Sequence, residues 1–302
     1  MYFIDIVYEK SDASKHRFLF PHSVKKGCPF ETASFSYPIR ICEIIIPQLH
    51  FISFQSKRII MHYIALAIAP GLAICIYIFY KDIYNREPKL NLFVSFLLGC
   101  LAIVPAIWFE QTFEYVNDNT KTGLALLCYG VIGFSEEFSK FLGVRLYAYN
   151  KKSFDEPLDG IVYSVMVSMG FATLENIFYV LKYAEVGMGL EVGIKRMFLS
   201  VPAHATFGVL MGYFVGKAKF NAKNSLWLLT MGLLAAIFFH GSFDYFIFLN
   251  QLKMVTEKEG DILLASGAFI SFGVALLLSR KLIKNQRALS KSIFNKKDNE
   301  LV

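Results

Sequence analysis

The chain has 302 residues, 55% of them hydrophobic, 16% aromatic and only 18% charged, with a formal net charge of +7. A soluble domain carries about a quarter charged residues, so this composition excludes an ordinary soluble globular protein and puts the chain in the membrane class. The positive balance does not point to nucleic acid, because the bases sit mostly in short loops and the tail beside apolar runs, the pattern that sets membrane topology.

Residues 1–60 differ from the rest. They carry eight Lys/Arg, five Asp/Glu and a Gly27-Cys28-Pro29 triplet. The mostly apolar stretch from Ile41 to Phe54 is interrupted by Pro47 and is short for a span. The basic-then-apolar order of a secretory signal is absent from the segment. At Met61 the composition changes abruptly. Two readings stand: translation begins at Met61 and 1–60 is an upstream extension, or 1–60 is an N-terminal arm. N-terminal mass spectrometry separates them.

From Met61 seven apolar runs are expected to cross the membrane: His62–Tyr80, Leu90–Phe109, Gly123–Tyr149, Pro157–Leu181, Met197–Gly216, Ser225–Leu249 and Ile262–Leu282. Short connections between them predict an all-α, polytopic, antiparallel helical bundle in one domain, 61–284, followed by a basic tail, 285–302. The loops after spans 1, 3 and 5, with the tail, hold 15 Lys/Arg, against 6 in the loops after spans 2, 4 and 6. This bias predicts a cytoplasmic tail and an external Met61. The tail reads as a solvated basic segment facing lipid headgroups. The five cysteines form no CxxC pair and read as small hydrophobes.

The third run is apolar except at Glu136, Glu137, Lys140 and Arg145. Ionisable groups at membrane depth are costly, so they face a bundle interior and mark a function. Glu175, His204, His240 and Asp244 lie in other spans. At about 1.5 Å per helical residue, Glu175, His204 and His240 fall roughly 10 to 14 Å from the outer helix ends. Side chains from four helices therefore converge on one layer. Lys140 is three residues from Glu137 and four from Glu136, so it can reach either. One glutamate is expected to pair with it and the other to face the site as a general base. Asp244 is four residues from His240 and can orient its imidazole. Glu175-Asn176 supplies a carboxylate and an amide. Gly133, Gly143, Gly170, Gly208 and Gly212 permit close helix approach, and Asp159 reads as a cap or loop partner at the start of span 4.

At these residues the chain resembles the PrsW family of intramembrane proteases, itself distantly similar to the CAAX-prenyl-protease and bacteriocin-processing membrane family. The resemblance rests on Glu136-Glu137-x-x-Lys140, Phe171-x-x-x-Glu175-Asn176 and His240-x-x-x-Asp244, in order. Val201-Pro202-Ala203-His204, Ile68-Ala69-Pro70-Gly71 and the Asp82…Glu87-Pro88 loop add to it. It covers about residues 61–282. It implies regulated proteolysis of a single-pass membrane protein, such as an anti-sigma factor, cut near the membrane on the extracytoplasmic side.

Two schemes suit these residues. In one, Glu136 or Glu137 activates water while His204, His240 or Asn176 supports the oxyanion and the leaving amine. In the other, His204, His240 and Glu175 bind a divalent metal such as zinc, with a Glu136/Glu137 carboxylate as base. The soluble HExxH signature is absent. Readings from other classes are a proton- or ion-coupled transporter using the same ionisable residues, and a non-catalytic membrane scaffold. The expected partners are a single-pass membrane protein and the lipid bilayer, with no nucleic acid.

Overall fold

Helix accounts for every regular element in the computed structural model, which describes residues 54–118, 120–251 and 260–300. Helix is the state expected of such apolar runs, because in hydrocarbon each backbone N–H and C=O must be satisfied within its own segment. The helices are α1 Phe54–Lys81, α2 Lys89–Phe113, α3 Lys121–Ala125, α4 Phe134–Leu146, α5 Pro157–Ala184, α6 Gly189–Phe198, α7 Ser200–Lys219, α8 Ser225–Gln251 and α9 Gly260–Glu300. Residues 1–53 of the expected N-terminal segment lie outside the described residues. The helical bundle belongs to one compact unit, Tyr63–Val302.

Six helical stretches are long and apolar enough to cross a membrane: Ile60–Lys81, Lys89–Val116, Pro157–Ala184, Gly189–Lys219, Ala222–Leu249 and Ser266–Ile293. They match six of the seven expected spans. The remaining one, Gly123–Tyr149, is helical but not uniform: α3 passes into a π-helical segment, Leu126–Gly133, and then into α4. Its charged residues, which made it the most informative run in the sequence, also keep it from qualifying by composition. π-Turns inside helices occur often at functional sites, where they re-aim the following side chains. Here the π segment ends at Gly133, just ahead of Glu136.

α5 is the central helix. Of its membrane-length window 78% is buried, against 22% for α1. It starts on Pro157 with a reciprocal capping box in which Glu156 is the N-cap and Asp159, expected as the cap or a loop partner, is the N3 residue whose carboxylate accepts the Glu156 N–H. Small residues bring its neighbours to backbone contact. A Cβ on Gly99 of α2 would strike the Val167 carbonyl of α5, and one on Gly170 would strike the Phe96 carbonyl. Gly160 and Gly212 do the same for α5 and α7. A Cβ on Gly143 would make only ordinary contact with the Val167 side chain, at 3.4 Å.

α9 departs from expectation. It continues as one helix through the basic tail to Glu300. Gln286 and Ser290 are buried, and Gln286 Nε2 donates to the Tyr213 carbonyl at 3.1 Å. The first turns of the tail therefore pack on the bundle rather than standing free as a solvated segment. Apolar periodicity marks where a helix leaves lipid but not where it stops packing on protein.

Candidate functional site

The eight site residues expected from sequence form one connected network. α4 presents Glu136, Glu137 and Lys140 on its buried face. The three-and-four spacing brings Lys140 back over both carboxylates: Nζ donates to Glu137 Oε1 at 2.8 Å and to Glu136 Oε2 at 3.0 Å. The expectation that only one glutamate pairs with Lys140 is thus corrected. A flexible ammonium with three donors can hold two adjacent carboxylates where a single-partner picture cannot. Its third contact is His204 Nδ1 at 3.1 Å, and the face of Phe171 lies 4.0 Å below it. All three charged groups are almost fully buried, with Glu137 at 0% exposure and Lys140 at 1%.

The Lys140 contact sets the tautomer of His204. Lysine only donates, so Nδ1 accepts and the proton sits on Nε2. Nε2–H then donates to Glu175 Oε2 at 3.1 Å. The same oxygen receives Arg196 at 2.6 Å, and Arg196 Nε donates to Asn176 Oδ1 at 3.0 Å. Asn176 Nδ2 donates to the Ala67 carbonyl of α1 at 2.9 Å. Asn176 is therefore engaged at both ends, which ties α1, α5 and α6 together. Ser168 Oγ donates to the His204 carbonyl at 2.7 Å and fixes the α7 backbone beside the ring.

His240 enters from α8. Its Nδ1 pairs with Glu137 Oε1 at 2.9 Å, while Nε2 is directed at Asp244 Oδ2 at 3.3 Å and Glu136 Oε2 at 3.8 Å. Phe207 stacks on the ring with centroids 5.0 Å apart, and the His204 ring stands edge-on to it, also at 5.0 Å. Glu137 Oε1 is thereby held by Lys140 and His240 together. Its other oxygen, Oε2, is buried with no hydrogen-bond partner among the described residues.

Two participants escaped sequence reasoning. Arg196 reads as a loop base, yet it is the counter-ion of Glu175. Glu110 of α2 lies within electrostatic reach of Glu136, Glu175 and His240, and Ser135 Oγ donates to its Oε1 at 3.4 Å. The available signal for Glu110 was a carboxylate at the end of an otherwise apolar run.

Glu136, Glu137, His204 and His240 each offer a donor atom within 4.8 Å of the others, all buried. Two imidazoles with two carboxylates are a ligand set suited to zinc-like divalent ions. A His240 Nε2 facing two carboxylates is the coordination a cation would complete, and the orphaned Glu137 Oε2 beside it would meet that cation or the water it carries. The residues therefore fit a metal. Glu175, the carboxylate ligand expected from sequence, is not in this group, being turned toward Arg196 and the far side of His204.

The match to the model of the "PrsW family intramembrane metalloprotease" spans residues 87–278. Among curated proteins, the chain is 38% identical to Protease PrsW of Bacillus subtilis (strain 168) over 185 residues, which is 61% of this chain and 82% of that protein. It is 37% identical to Protease PrsW of Geobacillus kaustophilus over 62% of this chain and 80% of that protein. The Clostridioides difficile Protease PrsW is 38% identical over 61% and 79%, respectively. No solved structure matches significantly.

Proposed function

The chain belongs to the PrsW family of intramembrane metalloproteases, hence is a multi-pass bacterial membrane hydrolase of peptide bonds, and from that premise we propose that Glu137 is its general base and a single-pass membrane protein its substrate. The observation carrying this reading is the asymmetry of Glu137. Oε1 is clamped by Lys140 and His240, and Oε2 is buried and unpartnered among the described residues. A carboxylate fixed through one oxygen keeps the other aimed at a single point, which is what abstraction of a water proton requires.

Lys140 bonds to both glutamates, and this pairing offsets part of the cost of burying their carboxylates. His240, oriented by Asp244, holds the Oε1 side of the base, and the Glu137 carboxyl, once it has taken the water proton, returns it to the leaving amine. His204, its tautomer set by Lys140 and Glu175, borders the same point. Glu136 and His240 Nε2 would hold a divalent metal, joined by His204 Nδ1 where it exchanges Lys140 for the ion, and such an ion would supply Lewis-acid polarisation of the scissile carbonyl. Arg196, Glu175 and Asn176 act as a positioning layer behind His204.

The substrate reading follows from the family resemblance and the charge bias. A single-pass protein such as an anti-sigma factor would be cut near its extracytoplasmic end, because the predicted orientation puts the network in the outer half of the bilayer.

The test compares parent, Glu137→Gln, Glu136→Gln and His240→Ala in a host lacking the native protein. New N-termini of single-pass proteins are mapped by mass spectrometry. The parent is expected to create a juxtamembrane terminus that Glu137→Gln reduces by at least about 10²-fold, the contribution of a general base. Equal product from Glu137→Gln at matched membrane abundance would remove Glu137 from that role.

A further inference from the structure

A second group of buried acids lies at the opposite end of α5 from Glu175. It comprises Asp82 and Glu87 in the α1–α2 connection, and Glu156 and Asp159 at the start of α5. Each is at most 3% exposed. Each is anchored through one oxygen. Asp82 Oδ2 accepts from Glu87 N at 2.9 Å, and Glu87 Oε2 accepts the Tyr163 hydroxyl. Asp159 Oδ2 accepts from Glu156 N at 2.8 Å and Asp155 N at 2.9 Å, while the Glu156 carboxylate accepts the Asp159 N–H in the capping box.

The second oxygen of every one of them lacks an ordinary hydrogen bond, and Glu87 and Asp159 lie close enough to share a proton. Asp82 Oδ1, Glu87 Oε1, Glu156 Oε1 and Asp159 Oδ1 are buried with no hydrogen-bond partner among the described residues. The Ser290 hydroxyl of α9 lies beside Glu156, is fully buried, and is likewise without an ordinary hydrogen bond. Donor oxygens of Asp82, Glu156 and Asp159 fall within 4.8 Å of one another. The neighbouring charges felt most by Glu156 are Asp82 and Asp155, so the acids face each other across the group. Arg86 acts on Asp82, but its Nε donates to the Asp82 backbone carbonyl.

We propose that Asp82, Glu156 and Asp159, with Glu87 and Ser290 beside them, bind a hard divalent cation of the Ca²⁺/Mg²⁺ class, separate from the intramembrane His/Glu network. An all-oxygen set with no imidazole or thiolate selects such ions over zinc or copper. Anchoring one oxygen of each carboxylate presets the other, so little ordering remains to be done on binding. The cation would fasten the α1–α2 loop, the N-terminus of α5 and the packed tail of α9 to one point. From Asp159 to Glu175 along α5 is sixteen residues, about 24 Å, so this clamp does not share ligands with the catalytic layer.

The test uses the full chain in detergent and Mn²⁺ as the probe, counted by the EPR signal of the free ion. It is run in a Glu136→Gln/His240→Ala background so that the intramembrane donors are not counted. One saturable Mn²⁺ per chain is expected, displaced by Ca²⁺ or Mg²⁺ and lost on adding Asp82→Asn and Glu156→Gln. Thermal unfolding supplies an independent readout. Ca²⁺ or Mg²⁺ should raise the midpoint of the parent and not of the Asp82→Asn variant. In chelator that variant should melt no lower than the parent, because one unbalanced charge is gone. Four acids that merely share protons would give no saturable Mn²⁺ and a parent midpoint indifferent to all three ions, and either result overturns the proposal.

Discussion

Lys140 is the residue on which the buried charges depend. It holds Glu136, Glu137 and His204 at 2.8 to 3.1 Å and is itself almost fully buried. Removing one member of such a buried group leaves the others uncompensated, typically at about 3–5 kcal/mol. Lys140→Ala is therefore expected to lower the thermal midpoint in detergent sharply, and Glu137→Gln much less, since the amide can still accept from Lys140. Comparable melting of Lys140→Ala and parent would contradict this account. A second residue-scale prediction concerns Glu156, outside the spans. Burial first, and then the Asp82 and Asp155 carboxylates, raise it from 4.5 to about 7. The folded state thus keeps a proton that the unfolded chain releases near 4.5. Its stabilising effect is complete below that point and is lost as pH rises toward about 7. In chelator, melting should fall over this window, and Glu156→Gln should flatten the slope. Most of the candidate network was legible because helical spacing announces it: Lys140 lies one turn from both Glu136 and Glu137, and Asp244 one turn from His240. Arg196 and Glu110 were not, because their partners are close only through tertiary packing and no spacing rule links Arg196 to Glu175.

At the scale of helices, α5 is held by backbone-close contacts rather than by side-chain interdigitation alone. In lipid there is little hydrophobic drive between helices, so small residues that permit close packing carry much of the association. A methyl on Gly99 would strike the Val167 carbonyl directly. Gly99→Ala should therefore push α2 from α5 and cost about 1–3 kcal/mol as overpacking. Gly273 of α9 provides the control, because a Cβ there meets nothing within 4 Å. Gly273→Ala should be neutral or slightly stabilising, by about 0.5–1 kcal/mol from helix propensity. Parallel melting curves of the two variants decide it: equal losses would show that the α2–α5 contact yields. The helices themselves were readable from apolar run length, since lipid leaves the backbone no alternative. The π segment at Leu126–Gly133 was not, because it carries no proline or charge and differs from α-helix only in how the backbone is registered. Nor did composition reveal that α9 continues past the apolar run, since Gln286 and Ser290 look like solvent residues until the Tyr213 carbonyl of α7 and the Glu156 carboxylate ahead of α5 are seen beside them.

For the whole molecule, the two polar clusters divide the bundle by depth. The acids at Asp82, Glu87, Glu156 and Asp159 lie at the end that carries the α1–α2 connection, the start of α5 and the tail. Arg196 and Glu175 mark the other half. Lys and Arg in the connections favour the first end by 15 to 6, which predicts that this end is cytoplasmic. Exposed lysines on both sides allow a direct measurement. Lys121, at the start of α3, and Lys152, between α4 and α5, are both exposed. In intact cells a membrane-impermeant maleimide should label Lys121→Cys, and should label Lys152→Cys only after permeabilisation. The cysteines of the described helices, Cys75, Cys100 and Cys128, are buried or half-buried, so replacing them with serine or alanine serves only to lower background. The reverse labelling pattern would invert the bundle. It would move the Glu137–His240 layer to the cytoplasmic half and carry the expected cut to the opposite end of the substrate's span, without altering the chemistry within the site.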